Sequence, residues 1–162
     1  MAVISVTVLA VGKLKEPFFA AACDEYAKRL GAYCKFQLLE LPEARLPERP
    51  LLGEIQAGLA KEAEVIRKKI PKGAFFCVCT PEGPELSSEK FAAALARAKG
   101  AGNSSFCFLI GGSCGIDPTV KAMADLRLSM GPMTFPHHLF RVMLLEQIYR
   151  AETIQAGTKY HK

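Results

Sequence analysis

The sequence predicts an α/β fold, a parallel sheet covered by helices on both faces. Three observations predict it. Short apolar runs alternate along the chain with stretches whose apolar residues recur at helical spacing. The chain has 162 residues, 50% hydrophobic and 23% charged, which suits one globular domain over residues 1–162 with a sizeable core. Gly-, Pro- or small-residue segments follow directly on strand-like runs, at Cys79–Thr80, Ile110–Gly115 and Ser129–Thr134. In open parallel sheets, ligands bind at the carboxyl ends of the strands. The convergence of these segments is the strongest functional signal in the pattern.

Taken in order, Ala2–Val11 is apolar and β-branched and predicts a buried strand. Gly12–Lys15 turns the chain. Glu16–Leu30 predicts a helix, with Phe19, Cys23, Tyr26, Ala27 and Leu30 at helical spacing and Gly31 closing it at the C′ position. Cys34–Leu41 is a second strand. Pro42–Pro50, with three prolines and alternating charges, predicts an exposed, mobile loop. Leu51–Ile70 is a long helix whose charged residues, Glu62, Glu64, Arg67, Lys68 and Lys69, form a solvated end suited to the helix dipole. Ala74–Cys79 is a third strand. Ser87 is placed to cap a helix running to Lys99. Ser105–Ile110 is a fourth strand, and Asp117–Pro118 predicts the cap and first residue of another helix. Leu126–Ser129 is a short fifth strand.

The stretch from Leu128 to Ile154 organises the rest. Its first part is a loop built from Gly131, Pro132, Thr134 and Pro136, and its second is a helix starting near His137. Leu139, Val142 and Met143 form one apolar stripe, while Phe140, Leu144 and Leu145 point elsewhere. A helix apolar nearly all round is buried on more than one side. The expectation is that one side meets the sheet and the other a second subunit.

Several classes are disfavoured. No apolar run reaches the length of a bilayer span, and the start of the chain lacks a basic, cleavable leader, so the expected compartment is the cytoplasm. The six cysteines form no C-x-x-C pair and read as small buried hydrophobes in a reducing cell. Three histidines are too few and too poorly spaced for a structural zinc site, so no metal is expected. The net charge of +5 is compatible with a nucleic-acid partner without establishing one. Lys13, Lys15, Arg29 and Lys35 are candidate RNA contacts or simply solvated.

Gly111-Gly112-Ser113-Cys114-Gly115 invites a phosphate-binding reading, because glycine amides after a strand can cradle an anion. It fits neither the dinucleotide fingerprint nor the P-loop, so a different small-molecule contact and a structural turn stay open beside it. Ser113 misses the G-x-S-x-G pattern of a nucleophile elbow. His137 and Arg141, four apart, share a helix face at the mouth of the expected site, although His137 can equally serve as a helix cap. Arg150 can pair with Glu146 one turn earlier. Tyr160, His161 and Lys162 combine an aromatic ring, an imidazole and an ammonium, a sensible clamp for a nucleobase and its phosphates.

Further motifs carry a resemblance. V-G-K-L-K-E at 11–16, E-Y-A-K-R-L-G at 25–31, I-G-G-S-C-G at 110–115, M-T-F-P-H at 133–137, R-V-M-L-L-E-Q-I-Y-R-A at 141–151 and the final Y-H-K resemble the RlmH family. These are large-subunit ribosomal RNA pseudouridine N3-methyltransferases of the SPOUT superfamily. The resemblance implies a deep C-terminal trefoil knot, S-adenosyl-L-methionine bound in it, a homodimer, and a pseudouridine acceptor in the assembled ribosome. It implies cofactor contacts at Cys79, Gly111, Met130, Gly131, Pro132, Met133, Thr134 and Phe135. Cys79 departs from the leucine usual there, a change that a backbone contact survives. Tyr160 and Lys162 are implied RNA contacts. His161 or His137 is the candidate base for the N3 proton, and Arg141 or Lys162 the cation that favours the anion. The competing readings are a catalytically silent knotted module that binds the ribosome or RNA, and an enzyme acting on a phosphate ligand through the Gly111–Gly115 loop.

Overall fold

The computed structural model describes residues 3–162; Ala2, expected in the first strand, lies outside them. Five strands alternate with five helices: β1 Ile4–Val11, α1 Pro17–Leu30, β2 Cys34–Leu41, α2 Leu52–Lys69, β3 Phe75–Cys79, α3 Ser88–Gly100, β4 Ser105–Ile110, α4 Pro118–Lys121, β5 Leu126–Leu128 and α5 His137–Gln155. The strands form one sheet in the order β2-β1-β4-β3-β5, and every pairing is parallel. All five therefore deliver their carboxyl ends to the same edge.

Side-chain alternation along the strands builds two cores. On one face Val6, Val8, Cys77, Phe106 and Phe108 meet Cys23 and Leu30 of α1, Phe91 and Leu95 of α3, and Leu144 and Ile148 of α5. On the other, Leu9, Val11, Val78, Cys107 and Leu109 meet Ala63 and Ile66 of α2 and Val120 of α4. Cys77 and Cys79 share the first face, as their spacing predicts. The three central strands are buried on both sides, which is why they read as nearly continuous apolar runs. All six cysteines are free, and only Cys114 is exposed.

The expected caps on α3 and α4 are present. The Ser87 hydroxyl accepts from the Lys90 amide at 3.2 Å, and Asp117 caps α4, which is a single turn. Gly31 differs from expectation. It closes α1 with a right-handed φ of −58°, so the helix ends without a left-handed cap. The Pro42–Pro50 segment also differs. It is largely exposed, yet the Ala44 amide donates to Glu62 Oε2 at 2.8 Å, and Leu46 packs where α2 has Gly58 in place of a side chain. Glu62 is consequently buried rather than part of the solvated end of α2. Burial pushes its carboxyl up.

Helix α5 crosses both α1 and α3 on the first face. None of its nineteen residues is fully exposed. Ion pairs with one buried partner each fix its two ends. Near the start, Arg141 Nη1 donates to Glu40 Oε2 at 2.6 Å and Nη2 to the Gly12 carbonyl at 3.3 Å. Near the end, Lys99 Nζ donates to both Glu152 oxygens at 2.8 Å. Among the described residues, no helix is long and apolar enough to cross a membrane.

Candidate active site at the carboxyl edge of the sheet

A cavity of about 460 Å³ opens at the carboxyl ends of β3, β4 and β5. Three loops wall it: Thr80–Glu82 after β3, Gly111–Ile116 after β4, and Ser129–Phe135 after β5. Cys79, Gly111 and the whole run from Met130 to Phe135 lie on its wall, as does His137.

Local physics explains each loop. Gly111 sits so close to the turn behind it that a Cβ there would lie 2.6 Å from Ile116 Cγ1 and 2.7 Å from the Gly115 carbonyl oxygen. Only glycine lets the chain leave β4 and fold back at that distance. Gly131 has φ +109°, a left-handed conformation that turns the third loop over the cavity. The Ser129 hydroxyl accepts from the Gly131 amide at 3.1 Å and steadies that turn. The first loop is stitched to β5. The Thr80 amide donates to the Leu128 carbonyl at 2.9 Å, and the Ser129 amide to the Pro84 carbonyl at 3.1 Å. Met130, Met133 and Phe135 supply apolar wall. The many backbone groups of these loops supply polar partners, the composition expected of a small-molecule site.

The cavity carries charge at one side of its mouth. Lys121 Nζ donates to Glu82 Oε1 at 3.2 Å, and Thr80 also donates to Glu82. A backbone hydrogen bond and then Lys121 hold the Glu82 carboxyl below its ordinary range. Lys121 and Glu82 were missed by sequence reasoning, because only the register of β5 on β3 brings α4 over the first loop. Phe140, expected to point away from the Leu139–Val142–Met143 stripe, reaches the wall.

The other predicted residues separate into two groups. His137 is the first residue of α5 and caps nothing; the cap position is Pro136, with no side-chain bond. Its ring lies 5.0 Å from that of His138, which bonds Glu16 Oε2 at 2.8 Å, and His137 itself has no hydrogen-bond partner among the described residues. Arg141 turns away from the cavity into the Glu40 and Gly12 pocket. A four-residue step on a helix rotates the side chain by about 40°. That offset is enough to swing Arg141 from the cavity toward the end of β2.

The tail forms the second group. Tyr160 packs edge-on against Tyr149 at 4.8 Å and donates to Glu146 Oε1 at 3.0 Å. Burial, then Glu146, push its phenol up to about 12. Arg150 bonds Glu146 one turn earlier, as its spacing allows, and also reaches His161 Nδ1 at 3.1 Å. An arginine can only donate, so Nδ1 is the acceptor. The ring proton is then on Nε2 and is donated to Glu89 Oε1 at 2.8 Å. Arg150 lies thirteen residues beyond His137, roughly 20 Å along the helix axis. Within one protomer, therefore, His161 does not share the cavity with His137. Lys162 is exposed. Among the described residues no group of His, Cys, Asp and Glu side chains could hold a metal ion.

The cavity fits S-adenosyl-L-methionine in size and chemistry. It falls within the usual volume of small-molecule sites, its loops match no phosphate-binding fingerprint, and its walls are partly apolar.

Comparison with known proteins is consistent over nearly the whole chain. Residues 4–161 match the family model described as "Predicted SPOUT methyltransferase". A protein of Limosilactobacillus reuteri (strain DSM 20016) named "Ribosomal RNA large subunit methyltransferase H" is 44% identical over 158 residues, covering 98% of this chain and 99% of that protein. A protein of the same name from Clostridium botulinum (strain 657 / Type Ba4) is 42% identical over the same share of each chain. Among solved structures, a probable methylase family protein from Haemophilus influenzae Rd KW20 superposes with a TM-score of 0.54 at 9% identity, covering 98% of this chain and 70% of that one. A structure described by its work on 2-OH methylation of C/U34 on tRNA gives 0.53 at 16% identity, covering 96% and 99%. At these identities the two structures bear on the fold alone.

Proposed function

Since the chain belongs to the SPOUT methyltransferase family, we propose that it transfers a methyl group from S-adenosyl-L-methionine to N3 of a pseudouridine in large-subunit ribosomal RNA, in the assembled ribosome. The observation that carries this reading is the cavity at the carboxyl edge of the sheet, walled by Gly111 and the run Met130–Phe135. The full-length likeness to relatives named as large-subunit ribosomal RNA methyltransferases supports the substrate class. A ribosomal substrate implies a cytoplasmic protein. We assign residues 1–162 to one domain and the deep trefoil knot to the segment around β4, β5 and α5. The sheet order, in which the chain returns across β3 to add β5 on its far side, supports that assignment.

The cofactor supplies an activated methyl group on a sulfonium. The protein's task is alignment and proton removal. Loop amides around Gly111 and Met130–Phe135 hold the adenosyl part, and Met130 and Phe135 exclude water beside it. The weakly acidic N3–H must lose its proton. His137 is the better-placed base, because it lines the cavity and its ring nitrogens have no hydrogen-bond partner among the described residues. His161 has its acceptor nitrogen occupied by Arg150, so its role in this pose is to tether the tail. Arg141 acts as a positioning residue that ties the start of α5, and with it His137, to β1 and β2. Tyr160 and Lys162 contact RNA. They belong to a cavity roughly a helix length away, and a homodimer in which the tail of one protomer serves the cavity of the other would bring them together.

The test is transfer of labelled methyl to whole ribosomes from a strain lacking the enzyme, with protein-free RNA alongside. Label at N3 of a pseudouridine in intact ribosomes is the expected result. Label in free RNA alone would overturn the assembled substrate. Cofactor binding without transfer to either would favour the silent module. His137→Ala should slow single turnover by about 10²–10⁴-fold if it is the base. An undiminished rate would remove it from that role.

A further inference from the structure

Glu43 lies in the loop just past β2, a strand that contributes nothing to the cavity, yet its carboxylate reaches the Gly-rich loop after β4. Oε1 accepts from the Ser113 amide at 3.0 Å and from the Ser113 hydroxyl at 2.5 Å. The carboxylate sits beside two glycines from two different turns. A Cβ on Gly112 would sit 2.9 Å from Oε1, and one on Gly12 would sit 3.3 Å from Oε2. Gly12 also has φ +103°, a backbone conformation that other residues rarely adopt. Burial opposes the charge, but the two Ser113 bonds and the nearby His137 and His138 outweigh it and hold the carboxyl below its ordinary range.

We infer that Glu43 is a positioning residue for cofactor binding, clamping the Gly111–Gly115 loop through Ser113 so that the loop's amides face the cavity. This rests on the cofactor reading above. A loop with three glycines in five residues has many open conformations, and ordering it would otherwise be charged against ligand binding. A charge-assisted double contact removes much of that cost in advance. The segment Pro42–Pro50, exposed and proline-rich, thereby acquires a function: it holds Glu43 in place from the other side through the bond between Ala44 and Glu62.

The experiment compares wild type, Glu43→Ala, Glu43→Gln and Ser113→Ala in the full chain. Calorimetry gives S-adenosyl-L-methionine affinity, single turnover at saturating cofactor gives the rate, and amide hydrogen exchange reads the loop without ligand. Glu43→Ala should weaken affinity about tenfold, with the saturated rate retained, and Glu43→Gln, which keeps the acceptor oxygen, should recover most of it. Exchange at the Ser113 amide should quicken about tenfold or more in Glu43→Ala. The double variant Glu43→Ala/Ser113→Ala should lose no more than Glu43→Ala alone. Wild-type affinity in Glu43→Ala, or a fall in the saturated rate at unchanged affinity, overturns the inference. If wild type bound no cofactor, the functional reading would fail on its own, and unchanged Ser113 exchange would then separately sink the clamp.

Discussion

The Arg141–Glu40 pair makes an asymmetric prediction. Arg141 is 2% exposed, whereas the Glu40 side chain is 39% exposed. Removing the acid's charge strands a cation in the core; removing the cation leaves an acid that water can reach. Breaking one side of a fully buried pair costs about 3–5 kcal/mol. Solvent at Glu40 screens part of that, so Glu40→Gln should lose about 2–3 kcal/mol. For a chain of this length that lowers the melting temperature by roughly 5–10 °C. Arg141→Met should lose less, about 0–1 kcal/mol, because an apolar side chain fills the buried site and the acid left behind is reached by water. The Arg141 Nε, which has no partner, also ceases to be buried unsatisfied. Glu40→Gln/Arg141→Met should then resemble Arg141→Met alone.

Acid titration checks the charge. Burial raises the Glu40 carboxyl, but Arg141, the Leu14 amide and Lys13 together hold it below its ordinary value. A lowered carboxyl contributes stability above its unfolded value, near 4.3, and loses it as pH falls through the folded value. The gap between wild type and Glu40→Gln should be level around pH 6–8 and close as pH falls below the unfolded value and through the lowered folded one. The assay is thermal and urea unfolding at fixed protomer concentration, since any self-association would shift the midpoint. Arg141→Met falling below Glu40→Gln, or a gap that persists in acid, would refute the reasoning.

Two further outcomes follow from the cavity. Gly111→Ala should lose about 1–3 kcal/mol, because its Cβ has no room beside Ile116 and the Gly115 carbonyl, and should weaken cofactor binding as the loop swells; a variant with wild-type melting and affinity would show that the turn relaxes freely. Iodoacetamide at pH 8 should modify Cys114 first, with protection by cofactor, since Cys114 is exposed on the cavity wall while burial pushes the thiols of Cys34 and Cys107 up to about 12. Equal labelling of Cys107, read by peptide mass spectrometry, would contradict that burial.

What the sequence made legible is what neighbouring residues decide among themselves. Ser105–Ile110, Asp117 before Pro118, and the start of α5 at His137 match the structure to the residue, because apolar runs, an Asp cap and a proline boundary act over a few positions. The cavity was legible as three small-residue loops at strand ends, since parallel strands must all present those ends on one side. Arg141 was not, because its partner lies 101 residues earlier and nothing on its own helix announces a buried acid. Glu62 misled for the same reason: a charged residue near a basic helix end resembles a solvated one until a loop folds over it. Glu43 gave no sign at all, since a glutamate among prolines carries no periodicity, and its meaning depends on two glycines from other turns.

These long-range polar contacts share a purpose that packing alone does not explain. An apolar core would fix the sheet and lay α5 across it without Glu40, Glu43 or Glu16. What those three acids add is direction at the carboxyl edge: Glu40 on Arg141, Glu16 on His138 and Glu43 on Ser113 tie the start of α5 and the Gly-rich loop to the ends of β1 and β2. Apolar contacts are non-directional and tolerate small shifts, whereas a charge-assisted hydrogen bond weakens steeply with distance and angle. The acids come from the half of the sheet that does not wall the cavity and grip the elements that do. The cavity loops, rich in glycine and so poor at holding their own shape, take their geometry from outside themselves. The tail, by contrast, satisfies its own Tyr160 and His161 on α5 and α3, leaving Lys162 exposed and the cavity wall in the same protomer without an aromatic–cation partner from the tail. Within one protomer the cavity and the tail thus lie at separate places, which is why the proposed site needs the tail of a second copy.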